Sequence, residues 1–342
     1  MDVLIVGAGS IGQKEVKELS KHPEINLVGV VEIDKNRREK VSSLVPDTYS
    51  EISKGISDSN PDLVRIATPP QTHYELAKTA LNAGKDVYLE KIMTLNSEKA
   101  REIADLAEEL NRSVYVRRNA LYTPVYWRAR KKSETIGHLR HVHWIEPIEK
   151  YSYWSKSKQE WLRNLPGGII SEHLPHALYT VRWFLGEEPE IENVLYKEDE
   201  IHISLKAREK KAEISYIQPS DLPMLLNLTG SKGMITVDNS TMRIHEPRGF
   251  EDSKTVERRT VKANIHELLD SLKNILRLGQ HFFRRELKLN PDPMYSKSDN
   301  YRQFTDIAGD GEICGDFNIN VEEGVKNVEL FEKIWKETGV KW

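Results

Sequence analysis

The apolar run Val3-Leu4-Ile5-Val6 passes without a break into Gly7-Ala8-Gly9-Ser10-Ile11-Gly12, and no other feature narrows the fold of this chain as much. Four apolar residues in succession suit a strand buried on both faces. Ile11, Val16 and Leu19 then recur at helical spacing. Strand, glycine turn and helix in this order form the dinucleotide fingerprint G-x-G-x-x-G. Gly7 permits the tight turn, Gly9 lets the backbone approach a pyrophosphate, and Gly12 allows close helix packing. The backbone N–H groups at Ser10 and Ile11, at the helix start, are expected to hold the phosphates.

The bare motif also occurs in ordinary loops, so its context decides. Asn26 to Val31 repeats the apolar pattern, and Glu32 follows Gly12 by 20 positions, where the fingerprint places its acidic residue. A carboxylate there accepts hydrogen bonds from both ribose hydroxyls and repels a 2′-phosphate, which predicts NAD. Lys35, Arg37 and Arg38 follow closely and offer cations to a phosphate, which keeps NADP as the alternative.

The alternation continues. Asp62 to Ala67 reads as a strand broken by Thr68-Pro69-Pro70, and Tyr74, Ala77, Ala80 and Leu81 share a helical face that ends at Gly84. Asp86 to Leu89 is the next strand, Ala100, Ile103, Ala104 and Ala107 mark a helix, and Val114 to Val116 another strand. Strands alternating with helices imply a parallel sheet, whose ligands sit at the carboxyl ends of its strands. Thr68, Pro69, Glu90 and Lys91 all fall at such ends.

After Pro124 the period changes. Ile201, Ile203 and Leu205 alternate with polar residues, as do Ala212, Ile214 and Tyr216, and Gly230-Ser231-Lys232-Gly233 reads as a hairpin turn before Met234 to Val237. Val325, Val328, Phe331 and Trp335 give a last helix a core stripe. The expected fold class is therefore α/β. A doubly wound Rossmann sheet occupies residues 1–121, and an α+β domain with a large, mainly antiparallel open sheet occupies 122–342. Gln280 to Phe317 lacks a regular period and reads as a long loop.

Composition removes other classes. The chain of 342 residues carries a net charge of −3, which offers no basic field for a nucleic acid. Its apolar runs are too short to span a bilayer. Cys314 is the only cysteine, so no intrachain disulfide forms and no cysteine-based metal site is expected. The first strand begins at Val3 and leaves no room for a targeting segment, which predicts a cytoplasmic protein.

The order of motifs resembles the Gfo/Idh/MocA oxidoreductases. The likeness rests on the glycine turn, on Ala67-Thr68-Pro69-Pro70-Gln71-Thr72-His73 followed by Ala80-Leu81-Asn82-Ala83-Gly84-Lys85, on Glu90-Lys91, and on Gly167-Gly168-Ile169-Ile170-Ser171-Glu172-His173-Leu174-Pro175-His176. It implies an NAD(P)-dependent dehydrogenase or reductase acting on a CH–OH group of a sugar, cyclitol or nucleotide-linked sugar. It places Lys91 beside the nicotinamide and the Thr68 to His73 loop at the cofactor, with Glu172 and His176 as the family's acid and histidine. Spacing agrees, because residues four apart share a helical face. The resemblance also implies a homo-oligomer, dimer or tetramer, through the open sheet.

Two departures from the family, and a proline near the histidine, set further expectations. Ile92 follows Lys91 where the family has proline, and since a cis bond there costs about 2.5–4 kcal/mol, a trans bond is expected. Glu172 stands in place of aspartate. Pro175 predicts a helix that begins there. The order Glu-His-x-x-His is not the zinc-binding His-Glu-x-x-His, so no metal is expected. Tyr151, Tyr153, Trp154, Trp161 and Arg163 suit a sugar ring or a nucleotide diphosphate, or else core packing. The rival readings are a non-catalytic dinucleotide sensor and a reductase of an imine or tetrapyrrole.

Overall fold

The computed structural model describes residues 1–148, 160–197, 200–218, 223–239, 241–245, 299–309 and 319–340. Tyr151, Tyr153 and Trp154 lie outside these residues, as does most of the stretch from Gln280 to Phe317.

The first half alternates as its periodicity predicts. It runs β1 (Asp2–Val6), α1 (Ser10–Leu19), β2 (Asn26–Val31), α2 (Lys35–Val41), β3 (Thr48–Tyr49), α3 (Ile52–Ser59), β4 (Leu63–Ile66), α4 (His73–Asn82), β5 (Asp86–Leu89), α5 (Ser97–Glu109) and β6 (Val114–Val116). All pairings are parallel, in the order β3-β2-β1-β4-β5-β6. Val3, Leu4 and Ile5 are fully buried because helices cover both faces. The strand order reverses between β1 and β4, so the crevice at their carboxyl ends is the place where such sheets take ligands.

The second half supplies α6 (Pro124–Ser133), β7 (Leu139–Pro147), α7 (Glu160–Arg163), α8 (Ile169–Leu185), β8 (Glu190–Lys197), β9 (Glu200–Ala207), β10 (Lys210–Ile217), β11 (Leu225–Gly230), β12 (Met234–Asp238) and β13 (Arg243–His245). These strands form one sheet in the order β13-β12-β11-β7-β10-β9-β8. Within this sheet only β7 and β10 pair in parallel among the described strands. Ile201, Ile203, Leu205, Ala212, Ile214 and Tyr216 are buried, as their alternation predicts, and α8 packs on this face. The opposite face carries His141, His143, His202 and Glu213, none of them buried. The fold class is the expected one, a Rossmann half and a mainly antiparallel half.

Two last helices return to the first sheet. α9 (Asp299–Ala308) seats the fully buried Phe304 in the core of that half, and Tyr88 Oη donates to Gln303 Oε1 at 2.6 Å. This corrects the reading of Gln280 to Phe317 as irregular. The buried side of α9 mixes Arg302 and Gln303 with Phe304, and Ile307 and Ala308 pack against the same core. α10 (Val321–Thr338) buries Val325, Val328, Phe331 and Trp335 as predicted and packs on α5, β6, β8 and α8.

Candidate active site

The glycine turn has the stereochemistry that its sequence requires. Gly7 has φ +102°, and a Cβ there would stand 2.9 Å from the Ala67 carbonyl oxygen. A Cβ on Gly12 would lie 1.9 Å from the Gly7 oxygen, so α1 can pack against the turn only with glycine at that position. A Cβ on Gly9 would meet nothing within 4 Å. Gly9 caps α1, whose first-turn N–H groups at Ser10, Ile11 and Gly12 have no carbonyl of a preceding turn to bond. Open space in front of unpaired helix-start donors is a cradle that fits a pyrophosphate.

Glu32 directly follows β2 beside this turn and is buried. Its carboxylate accepts from Ala8 N–H at 2.8 Å and from Asp34 N–H at 3.0 Å, which leaves lone pairs for two further donors. Arg38 Nη1 donates to the carbonyl oxygens of Glu32 and, at 2.9 Å, of Ile33. Ile33 is 86% exposed, an apolar side chain standing in water next to the carboxylate. The sequence reading passed over it. Its signal was a large hydrophobe immediately after the fingerprint's acidic residue.

Thr68 and Pro69 follow β4, and Glu90 and Lys91 follow β5, at the same edge. His73 lies beneath them, fully buried, with Nε2 2.8 Å from the Thr68 oxygen and Nδ1 3.0 Å from the Ile92 oxygen. Burial pushes its imidazole below the usual range, against the pull of those carbonyls. His73 therefore sits between the two loops from underneath. The Lys91-Ile92 bond is cis, contrary to the expectation. Ile92 and Met93 are buried and both of their carbonyls face His73, so tertiary contacts override the local preference here.

Glu90 is held in a buried ion network that sequence spacing could not reveal. Arg65 on β4 grips both oxygens of Glu15, at 2.9 and 2.7 Å, and also pairs with Glu90, to which Arg117 Nη1 donates at 2.6 Å. Burial alone would raise the carboxyl, but Arg117 and Arg65 hold Glu90 down at about 2.

Lys91 and α8 come together across the two halves. Lys91 Nζ donates to the Glu172 carbonyl oxygen at 2.8 Å and pairs with the Glu172 carboxylate. Lys91 is buried, whereas Glu172 and His176 keep part of their surface exposed. α8 begins at Ile169, behind Gly168 with φ +59°, so Pro175 sits inside the helix and not at its start as expected. Gly167, also left-handed, lies against the Trp335 ring, and this loop packing fixes the helix start ahead of the proline. Because Glu172 engages Lys91, it does not orient His176. That task falls to Tyr179, whose Oη lies 2.6 Å from His176 Nδ1. Burial, with the Lys91, His173 and Arg117 charges nearby, holds the His176 imidazole well below its usual pKa. His173 turns instead to the buried Glu146 of β7, at 3.3 Å, which also accepts from Trp144 Nε1 at 2.8 Å. Trp161 contributes its carbonyl to Gln71 Nε2 at 3.4 Å, and Arg163 is exposed.

Among the described residues, no cluster of His, Cys, Asp or Glu is grouped to hold a metal ion, and no helix is long and apolar enough to cross a membrane.

Residues 1–118 match the Gfo/Idh/MocA family model, described as an oxidoreductase family with an NAD-binding Rossmann fold. Oxidoreductase P35 of Formosa agariphila is 27% identical over 58% of this chain and 64% of its own length. The inositol 2-dehydrogenase of Rhizobium meliloti is 25% identical over 54% of this chain and 55% of its own. The chain thus spans less than two thirds of the length of these relatives. The same fold appears in the crystal structure of myo-inositol 2-dehydrogenase from Lactobacillus plantarum, with a TM-score of 0.71 at 17% identity over 99% of this chain and 97% of that one. It appears too in the WlbA dehydrogenase from Bordetella pertussis in complex with NADH and UDP-GlcNAcA, with a TM-score of 0.71 at 17% identity over 99% and 96%.

Proposed function

Because residues 1–118 match the Gfo/Idh/MocA oxidoreductase family model, we propose that this protein is an NAD-dependent dehydrogenase or reductase acting on a CH–OH group of a sugar, cyclitol or nucleotide-linked sugar. The observation that carries the reading is the meeting of Lys91 with Glu172 on the first turn of α8, one turn before His176, at the edge that also bears the glycine turn. A bound nicotinamide supplies the hydride chemistry. The chain must hold the cofactor, orient a substrate carbon and move a proton at its oxygen.

Gly7, Gly9, Ser10, Ile11 and Gly12 cradle the pyrophosphate, Glu32 takes the ribose hydroxyls, and the exposed Ile33 offers a face to the adenine. Thr68, Pro69, Glu90 and Lys91 border the nicotinamide end, with His73 between their loops. The charge of Glu32 favours NAD over NADP. Lys91 and His176 are the groups that reach the substrate oxygen, and Glu172 keeps Lys91 in place. The relatives named for inositol and the neighbour bound to a UDP-sugar support a polyhydroxylated substrate. The open face of the second sheet is the surface through which copies of the chain would pair, as a dimer or tetramer.

Lys91→Met tests the assignment. Turnover of a polyol or sugar panel with NAD falls at least about a thousandfold, as for loss of a proton-transfer group, while calorimetric NAD affinity stays unchanged. Full activity in that variant removes Lys91 from the chemistry.

A further inference from the structure

The open face of the second sheet carries a group of titratable side chains that the chemistry of the cleft does not use. His141 and His143 stand on β7, the fourth of seven strands in the sheet, and His202 stands on β9. Strand register sets Lys211 and Thr229 opposite His141, Glu213 and Asn227 opposite His143, and Ser215 and Leu195 opposite His202. The Glu213 carboxylate lies 3.9 Å from His141 Nε2 and 3.9 Å from His143 Nδ1. Ser215 Oγ stands 3.3 Å from His143 Nε2 and 3.1 Å from His202 Nδ1, and the two β7 rings are 6.1 Å apart. The three imidazoles thus form one patch. Lys206 on β9 faces Lys211, which Glu192 on β8 engages at 3.3 Å. Among the described residues, Glu213 is the one carboxylate in ion-pair range of these imidazoles.

The same face has the size and composition of an interface. Ile145, Ile217 and Leu225 share it by register, and Leu195 and Met234 on it are 59% and 37% exposed. Its seven strands, about 4.8 Å apart and about eight residues long at about 3.3 Å each, present about 750 Å². Each partner in a stable pair buries about 800 Å². A symmetric pair apposes the same patch of both copies, and β7 runs down the middle of this one.

Resting on the reading of this face as the surface through which copies of the chain pair, we propose that His141, His143 and His202 make the pairing sensitive to pH. The copies associate while the imidazoles are neutral and separate as they take up protons. One Glu213 offsets one imidazolium, so two positive charges in each copy stay uncompensated, beside Lys206 and Lys211, in a face stripped of water. Burial already holds His143 below its usual range, against the pull of Glu213, and cover by a second copy acts in the same direction. The separate chains bind protons that the pair excludes. Association is therefore complete above the ordinary imidazole range and is lost as pH falls through it. An ordinary imidazole titrates near about 6.5, so at pH 5.5 one that must stay neutral weakens the pair about tenfold, and one in each copy about a hundredfold.

Sedimentation equilibrium of the full chain at pH 8 and pH 5.5, in about 0.15 M salt, tests this, with circular dichroism to check that the fold is intact at both. The unaltered protein should pair at pH 8, with a Kd that rises at least about a hundredfold at pH 5.5. The variant carrying His141→Gln, His143→Gln and His202→Gln together should pair equally at both values. Leu195→Lys with Met234→Lys should abolish pairing at pH 8. A Kd that does not change with pH in the unaltered protein, or a triple variant that dissociates as its parent does, overturns the switch alone. A chain that stays single at pH 8, or a Leu195→Lys, Met234→Lys variant that pairs as before, refutes the reading of the face and the switch with it.

Discussion

Glu32 uses its carboxylate twice over, on Ala8 and Asp34 N–H groups from the protein and, in the reading given above, on the ribose of the cofactor. Removing it should therefore act on selectivity and on the turn together. Glu32→Ala should weaken NAD about tenfold, near 1.4 kcal/mol, narrow the gap to NADP, and lower stability by about 1–3 kcal/mol through the two unsatisfied N–H groups. Parallel titrations with both dinucleotides and a thermal melt check this. Equal affinity for NADP in the unaltered protein contradicts the role. Residues of this kind were legible in the sequence because their chemistry is local: the glycines lie within six positions, and Glu172 and His176 within one helical turn. Tyr179, Glu146 and the partners of Glu90 were not. Glu15 meets Arg65 across 50 residues and Glu90 meets Arg117 across 27, and only strand pairing brings them together. The spacing of the Glu-His-x-x-His segment drew Glu172 toward His176, whereas the structure spends that carboxylate on a lysine 81 residues away.

The elements of the first half were readable because each strand is a short apolar run and each helix a clear stripe. α8 and α9 show where such reading stops, since a proline inside one and buried polar residues on the other run against local preference. The buried ions bind these elements to one another: Glu15 belongs to α1, Arg65 to β4, Glu90 follows β5 and Arg117 follows β6. Glu90→Gln leaves two buried guanidinium groups short of a counter-charge and should cost about 3–5 kcal/mol, the scale for breaking a buried pair. The pH sign follows from the depressed carboxyl. Glu90 titrates at about 2 when folded against an ordinary 4.5. Its stabilisation is complete above the unfolded value and is lost as pH falls from 4.5 toward 2. Denaturant melts should then show the difference between the parent and Glu90→Gln shrinking across that window. A difference that stays constant down to pH 2 would place the worth of Glu90 elsewhere.

At the scale of the whole molecule the polypeptide does not divide as its sequence periods do. A boundary after residue 121 assigns α9 and α10 to the second sheet, yet Phe304 is buried in the core of the first. Val116 N–H donates to the Ile319 oxygen at 2.7 Å, Gly324 lies directly against Val116, and Ser97 N–H donates to Glu332 on α10 at 3.1 Å. The first sheet is thus finished by segments that the chain delivers some 200 residues later, a distance at which no period can signal contact. Burying each large apolar side chain contributes about 1.5–3 kcal/mol. Losing Phe304 and the α10 stripe together therefore removes an amount comparable with the total stability of a domain, about 5–15 kcal/mol. A fragment of residues 1–121 should accordingly lack a cooperative melt and bind NAD at least about a hundredfold more weakly than the full chain, although every fingerprint residue is present in it. Calorimetry of both species checks this. A fragment that melts in one sharp transition and binds NAD as the intact protein does would show that the returning helices are accessory, and that the nucleotide site folds on the first 121 residues alone.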